Sequence, residues 1–122
     1  MTAKRCFVFA AAFAFAGMTG SAAFAQDGPA EQTFYDLTAA WVAYERCNDI
    51  VFDQAQQFEL NKAIMAKVGT QIGAGAKLSL VQGAKLRTSM RVATKGCDGN
   101  APIESALQLF QTELAPAVGL AG

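Results

Sequence analysis

The cysteines constrain the fold of this chain most, because a bond between two of them would hold distant segments together. The 122-residue sequence contains three cysteines. Cys6 lies in an apolar N-terminal stretch, whereas Cys47 and Cys97 stand 50 residues apart in the body of the chain. Disulfides persist in oxidising compartments, so the destination of the chain decides whether these two cysteines pair.

The N-terminal stretch is typical of a cleavable secretory signal peptide. Lys4 and Arg5 precede an unbroken apolar run of eleven residues, and small residues lead up to Ala25. A helical run of that length reaches about 16 Å, roughly half of the hydrocarbon core of a bilayer, so an uncleaved anchor is the weaker alternative. We predict cleavage after Ala25, with residues 1–25 as the signal peptide and residues 26–122 as one periplasmic or secreted helical domain.

Removal of the signal peptide leaves Cys47 and Cys97 as the only cysteines of the exported chain. In an oxidising compartment a disulfide is the default state of such a pair, with two free thiols as the alternative. A bond that closes a loop of about 50 residues would stabilise a small domain by roughly 4 kcal/mol. We expect neither a metal ion nor another cofactor, because the chain lacks histidine and two thiolates fill only half of a tetrahedral zinc shell.

Apolar residues recur at helical spacing in the first half of the exported chain. The first stripe predicts an amphipathic helix that breaks or bends within residues 48–55, and it consists of Phe34, Leu37, Trp41 and Tyr44. A second helix precedes a glycine-rich segment, residues 69–75, where we predict a loop. The stripe of this second helix consists of Leu60, Ile64, Met65, Val68 and Ile72.

Two more helices are predicted after the glycine-rich loop. The third has a stripe that should form its core-facing side, with Met90 as a core residue, and consists of Leu78, Gln82, Leu86, Met90 and Ala93. The fourth should begin with Asn100 as its N-cap and Pro102 in its first turn. The apolar side of the fourth helix consists of Ile103, Leu107, Phe110 and Leu114.

The sequence shows no alternating strand pattern and no internal repeat, so we predict an all-α fold, a small antiparallel bundle of three to four helices. Short connections between antiparallel neighbours would bring the C-terminal ends of the first and third helices to the same pole. Cys47 and Cys97 lie at those two ends. The helical spacing predicts that these two helix ends meet, and the oxidising compartment predicts that the two cysteines are bonded. Both lines of evidence therefore support the same arrangement.

Charged residues are segregated along the chain. Residues 27–59 contain seven acids and a single base, whereas residues 62–95 contain seven bases and no acid. Two interpretations are open: the bases face acidic helices within the bundle, or they form a face for an anionic partner. The seven bases are Lys62, Lys67, Lys77, Lys85, Arg87, Arg91 and Lys95.

Catalytic patterns are scarce in this sequence. The lack of histidine excludes Ser-His-Asp and Cys-His nucleophile systems and histidine-based zinc helices. Glu45, Asp49 and Asp53 stand at four-residue intervals, a spacing that could place three carboxylates on one helical face for acid–base chemistry. Asp49 and Asp53 are also common turn and cap residues, and we favour that role.

We therefore predict a non-enzymatic exported protein that binds another envelope component, a partner protein or an unfolded client through an apolar groove or the basic face. The alternatives are an accessory or structural subunit of an envelope oligomer and an enzyme that uses carboxylates alone. Nucleic acid is not an expected partner, because the compartment disfavours it and residues 26–122 carry a net charge of −2. No stable membrane span is expected after cleavage.

Overall fold

The computed structural model describes residues 28–120, and the predicted signal peptide with its cleavage site lies outside that range. Over the described residues the chain forms four α-helices and a short 3-10 helix, without a strand, which confirms the predicted all-α fold. The α-helices are α1 (Pro29–Asn48), α2 (Gln54–Val68), α3 (Ala74–Lys95) and α4 (Ala101–Glu113), and the 3-10 helix spans Ala115–Val118.

α1 and α2 are separated by a short linker, residues 49–53, so the predicted break after the first helix is confirmed. Asp49 adopts the left-handed conformation, with φ 53° and ψ 49°, and the N–H of this C-cap residue donates to the Glu45 carbonyl. Asp53 begins α2 through a capping box. Its side chain accepts from the Gln56 N–H at 2.8 Å, and the Gln56 side chain accepts from the Asp53 N–H at 3.0 Å. Both exchanged bonds satisfy donors that the start of a helix leaves free.

The predicted stripes of α1, α2 and α4 meet in a common core. Its buried members include Phe34, Leu37, Leu60, Ile64, Val68, Phe110 and Leu114. Within this core the rings of Tyr44 and Phe52 stack on Phe110, with centroid separations of 4.2 Å and 5.9 Å. Stacked aromatic pairs contribute beyond their buried area. Because Phe52 comes from the linker, this stack also fixes the linker against the helices.

The glycine-rich connection differs from its prediction in two details. Ile72 is buried but lies outside α2, because the helix ends at Val68 and Gly69 follows with φ 69°, a conformation that favours glycine. The loop is also shorter than predicted, since α3 already begins at Ala74 and includes Gly75. Ile72 is therefore buried by contacts with other segments and not as part of the apolar side of α2.

Asn100 stands at the predicted start of α4, but the prediction that its side chain caps this helix is wrong. Its amide instead donates to the carbonyls of Arg91, at 3.0 Å, and Gly96, at 2.9 Å. These carbonyls lie near the C-terminal end of α3, and the Asn100 side chain is buried between the two helices' adjoining ends. A buried amide needs such partners, so the Asn100 side chain serves the end of α3, while its backbone carbonyl accepts from the Glu104 N–H at 2.8 Å at the start of α4.

α1 and α3 run in the same direction. Towards one end of the pair, the Tyr35 ring lies 3.8 Å from the position that a Cβ on Gly83 would take. At the other end, Cys47 and Cys97 form a disulfide with a Cα–Cα distance of 6.0 Å. Cys47 lies in the last turn of α1, and Cys97 follows the end of α3 by two residues. The predicted disulfide and the predicted meeting of these helix ends are both confirmed.

The prediction that the stripe of α3 faces the core is wrong, because Leu80 and Val81, which lie outside that stripe, pack against the core instead. The buried residues of α3 are Ala84 and Thr88, whereas Leu86 and Met90 are 64% and 59% exposed. Small side chains let two helices approach closely, and α1 and α3 pack against each other. The opposite side of α3 is therefore turned to solvent, and it carries the whole predicted stripe: Leu78, Gln82, Leu86, Met90 and Ala93.

Candidate functional site

The exposed side of α3 combines apolar and basic side chains. Leu86 and Met90 are one helical turn apart and therefore lie on one line along the helix surface. Lys85, Arg87 and Arg91 are exposed beside them. We call these five residues the α3 face. Leu78, which is 60% exposed, extends its apolar line towards the start of the helix.

The bases of the α3 face stand on both sides of its apolar line. Successive residues of an α-helix are about 100° apart, so Lys85 and Arg87 project to opposite sides of Leu86. Arg91 follows Arg87 at a spacing of four, and Lys95 continues that row to the last residue of α3. Long basic side chains on either side of an apolar line can keep their charges at its edges while their aliphatic stems cover apolar surface.

The seven predicted bases divide into two groups. Lys62 pairs with Glu59 at 3.3 Å, and Lys67 pairs with Glu113 at 2.6 Å. Within residues 28–120 the other five have no carboxylate oxygen within 4.0 Å, and all five belong to α3: Lys77, Lys85, Arg87, Arg91 and Lys95. Ion pairs within the described residues therefore involve the two bases of α2, whereas the five bases of α3 have no carboxylate partner at this distance.

An open groove of about 620 Å³ lies between α3 and the start of α4. It has the size of a small-molecule or peptide site. Its lining includes three bases and no carboxylate, and its apolar contributions include the α3 line and the first turn of α4. The residues that define its chemistry are Leu86, Met90, Pro102, Arg87, Arg91 and Lys95.

Further apolar residues lie on the other side of Lys85. Ile50 and Val51, in the α1–α2 linker, are 40% and 80% exposed. They line a cavity of about 490 Å³ together with Lys85 and Ser89 of α3. The exposed apolar surface around α3 therefore receives side chains from three chain segments: the linker, α3 itself and the start of α4.

Two of the three carboxylates singled out in the sequence have hydrogen-bond partners at the break between α1 and α2. Glu45 accepts from the Phe52 N–H at 3.0 Å, and Asp53 caps α2. Asp49 occupies the left-handed position that ends α1. Glu45 and Asp49 line the cavity shared with Lys85, but Asp53 does not. Across residues 28–120 the structure contains no group of three potential metal ligands.

Sequence reasoning identified the bases of this surface but missed its apolar side. The spacing of Leu78, Leu86 and Met90 is helical and predicts a core position, but these residues are exposed. The signal for the true orientation is a second stripe on α3, in which Leu80 and Val81 stand at helical spacing with Ala84. Exposed Ile50 and Val51 carried no periodic signal, because they lie in an irregular linker.

Comparison with known proteins assigns no function to this surface. The chain matches no protein-family model, no curated protein and no solved structure. In the described part of the chain, no helix has the length and apolar character required to cross a membrane.

Proposed function

We propose that this chain is an exported, non-enzymatic binding protein and that the α3 face is its contact surface. Its partner would be an envelope component, a partner protein or an unfolded client. The observation that carries the proposal is the exposure of Leu86 and Met90 beside bases that have no acidic partner within 4.0 Å in the described residues. Contiguous exposed apolar surface rimmed by polar groups marks interaction sites.

The free energy of burying apolar side chains favours binding of another molecule to the exposed side of α3. Burying a leucine or methionine side chain is worth about 1.5–3 kcal/mol each. α3 turns Leu80, Val81 and Ala84 towards the core but leaves Leu86 and Met90 in water. A helix with one face in the core and a second, partly apolar face outside can bury that second face only against another molecule. The proposal assigns the outer face to that role.

The export part of the proposal is supported by two features. Residues 1–25 have the pattern of a signal peptide. The Cys47–Cys97 disulfide is a bond of the kind that persists in the periplasm and outside the cell. The non-enzymatic part is supported by the structural use of Glu45 and Asp53, whose carboxylates are engaged by backbone N–H groups.

The test is site-specific cross-linking in the native compartment. A photo-activatable amino acid replaces exposed Ala93, near the end of the α3 line, and in a matched control it replaces exposed Thr112 on α4. We expect adducts from position 93 and not from position 112. These adducts should disappear when Leu86→Ser and Met90→Ser are introduced in the same chain. Equal adduct yields at the two positions would contradict the assignment of the α3 face.

The same experiment distinguishes an accessory subunit from a binder of separate partners. An adduct with twice the mass of the chain would identify a second copy as the molecule on the α3 face. Adducts of one other defined mass would indicate a specific partner protein, and a broad mass distribution would indicate unfolded clients. Each outcome leaves a non-enzymatic contact function in place but names a different partner.

A further inference from the structure

We propose that the molecule bound by the α3 face is a bilayer surface rich in anionic phospholipid. α3 would lie parallel to the membrane plane, with Leu86 and Met90 among the upper acyl segments and Lys85, Arg87 and Arg91 at the phosphates. This inference rests on the proposed function, because it uses the same surface and names its partner. It requires no membrane span, since the helix lies in the interface.

The arrangement of charge is the first argument. Lys85 lies on one side of the apolar line and Arg87 and Arg91 lie on the other, so the bases frame Leu86 and Met90. A planar array of phosphates can meet bases on both sides of the line at once. Interfacial helices show this distribution, with apolar residues below the headgroups and Lys and Arg beside them.

The second argument is the breadth of the apolar surface. Ile50 and Val51 approach α3 beyond Lys85, and Pro102 lines the groove beyond Arg87 and Arg91. Exposed apolar groups therefore flank α3 on both sides, in addition to its own line. A single acidic helix docked in the groove would cover one flank only, whereas a lipid surface would cover both.

Charge complementarity is the third argument. The described residues bring no carboxylate within 4.0 Å of Lys85, Arg87 or Arg91, although Glu45 and Asp49 line a cavity with Lys85 and Asp36 lines one with Arg91. A phosphate would therefore break no ion pair in binding these bases. Bases near an anionic membrane surface attract it additively, and this attraction decays within a Debye length. The α3 face contains no aromatic anchor, so we expect reversible and strongly salt-dependent binding.

The experiment measures co-flotation of the oxidised, signal-free protein with lipid vesicles. One set of vesicles contains phosphatidylcholine alone, and in the other set phosphatidylglycerol replaces about a third of it. We expect binding to the anionic vesicles at low ionic strength and release at high salt. No binding to anionic vesicles at low salt would overturn the inference.

Two variants separate the apolar and the basic contributions. The triple variant Lys85→Gln, Arg87→Gln, Arg91→Gln should weaken partitioning about a hundredfold at low salt. The double variant Leu86→Ser, Met90→Ser should weaken it about tenfold or more. A control removes bases outside the α3 face, through Lys62→Gln and Lys67→Gln, and is compared with the matched double variant Arg87→Gln, Arg91→Gln. An equal loss in the control would mean general electrostatic attraction and would overturn the inference.

A direct readout of depth comes from Ala93→Trp, which places an indole on the exposed side of α3. Its fluorescence should be quenched by lipids brominated on their acyl chains when the protein binds anionic vesicles. Native Trp41 is partly buried in the core and serves as the internal reference in the unsubstituted protein. Binding without quenching at position 93 would place another surface against the membrane and overturn the inference.

Failure of this inference is distinguishable from failure of the proposed function. If vesicles do not bind but the position-93 cross-links form and depend on Leu86 and Met90, the α3 face binds a protein and only the lipid assignment falls. If the chain is a dimer that Leu86→Ser and Met90→Ser convert to a monomer, the partner is a second copy and the lipid assignment again falls. If both vesicle binding and α3-dependent cross-links are absent, the proposed function falls as well.

Discussion

Cys47 in the last turn of α1 is bonded to Cys97, two residues beyond the end of α3, with their Cα atoms 6.0 Å apart. The bond therefore joins two helices that also pack against each other along their length. A cross-link in this position restricts the unfolded chain while leaving the folded helices in their packed arrangement.

The first prediction concerns this disulfide. Replacing both residues, Cys47→Ser with Cys97→Ser, should cost about 2–5 kcal/mol of unfolding free energy, because the unfolded chain regains the entropy of an open loop. Thermal unfolding should then shift down by many degrees, while the circular dichroism of the cold protein keeps its helical signal. Thiol titration of the denatured, unreduced wild-type protein is the complementary measurement. Two reactive thiols per exported chain would contradict the bond.

The second prediction tests the orientation of α3. Ala84 is fully buried and Leu86 is largely exposed, although they are two residues apart on one helix. Ala84→Leu should destabilise the protein by about 1–3 kcal/mol through overpacking, whereas Leu86→Ala should change stability by no more than about 0.5 kcal/mol. Urea unfolding of the two variants measures both values. A larger loss for Leu86→Ala than for Ala84→Leu would mean that α3 is rotated by half a turn.

The third prediction concerns the bases. Replacing Lys85, Arg87 and Arg91 with glutamine should leave thermal stability nearly unchanged, because no carboxylate of the described residues lies within 4.0 Å of them. Lys67→Gln should instead remove the contact with Glu113, at a cost of no more than about 1 kcal/mol for a partly exposed pair. Differential scanning calorimetry at low and high salt compares the two. A marked, salt-sensitive loss in the triple variant would indicate that these bases are paired within the bundle.

The fourth prediction concerns the exported form. If the signal peptide is removed after Ala25, the protein recovered from the envelope begins at Gln26 and lacks Cys6. Intact mass spectrometry of material expressed from the full reading frame measures this directly. A mass that still includes residues 1–25 would mean an anchored protein and would contradict the predicted cleavage.

Much of the fold follows from the sequence because three of its helices have one unambiguous apolar side. In α1 and α2, residues such as Phe34 and Leu60 stand at helical spacing and are buried as expected. α3 is different, because apolar residues stand on two of its sides: Leu78, Leu86 and Met90 are exposed, whereas Leu80 and Val81 pack towards the core on the side of Ala84. Helical spacing alone does not decide between two apolar sides, and close packing against α1 favours the side that carries the small Ala84. The sequence therefore predicts the helix correctly and its orientation incorrectly.

Of the candidate site, only the basic residues can be predicted from the sequence. Segregation of bases into residues 62–95 is visible in the sequence, but their division into paired and uncompensated groups depends on where α4 brings Glu113. Asn100 also lines the groove, and its amide bonds to carbonyls of α3 instead of capping α4. Cap propensity is a local property, and here a tertiary contact overrides it.

The two ends of α3 are held very differently. At its start Gly73 provides no capping side chain, and Gly75 in the first turn lowers helix propensity. At its end the neighbouring disulfide and the buried Asn100 amide hold the chain in place. Local opening should therefore begin near residue 74, and amide hydrogens in the last three turns should exchange most slowly. The α3 face lies in that slowly exchanging half, so its backbone is already ordered before a partner binds. Binding would therefore lose little affinity to the entropy cost of ordering this surface.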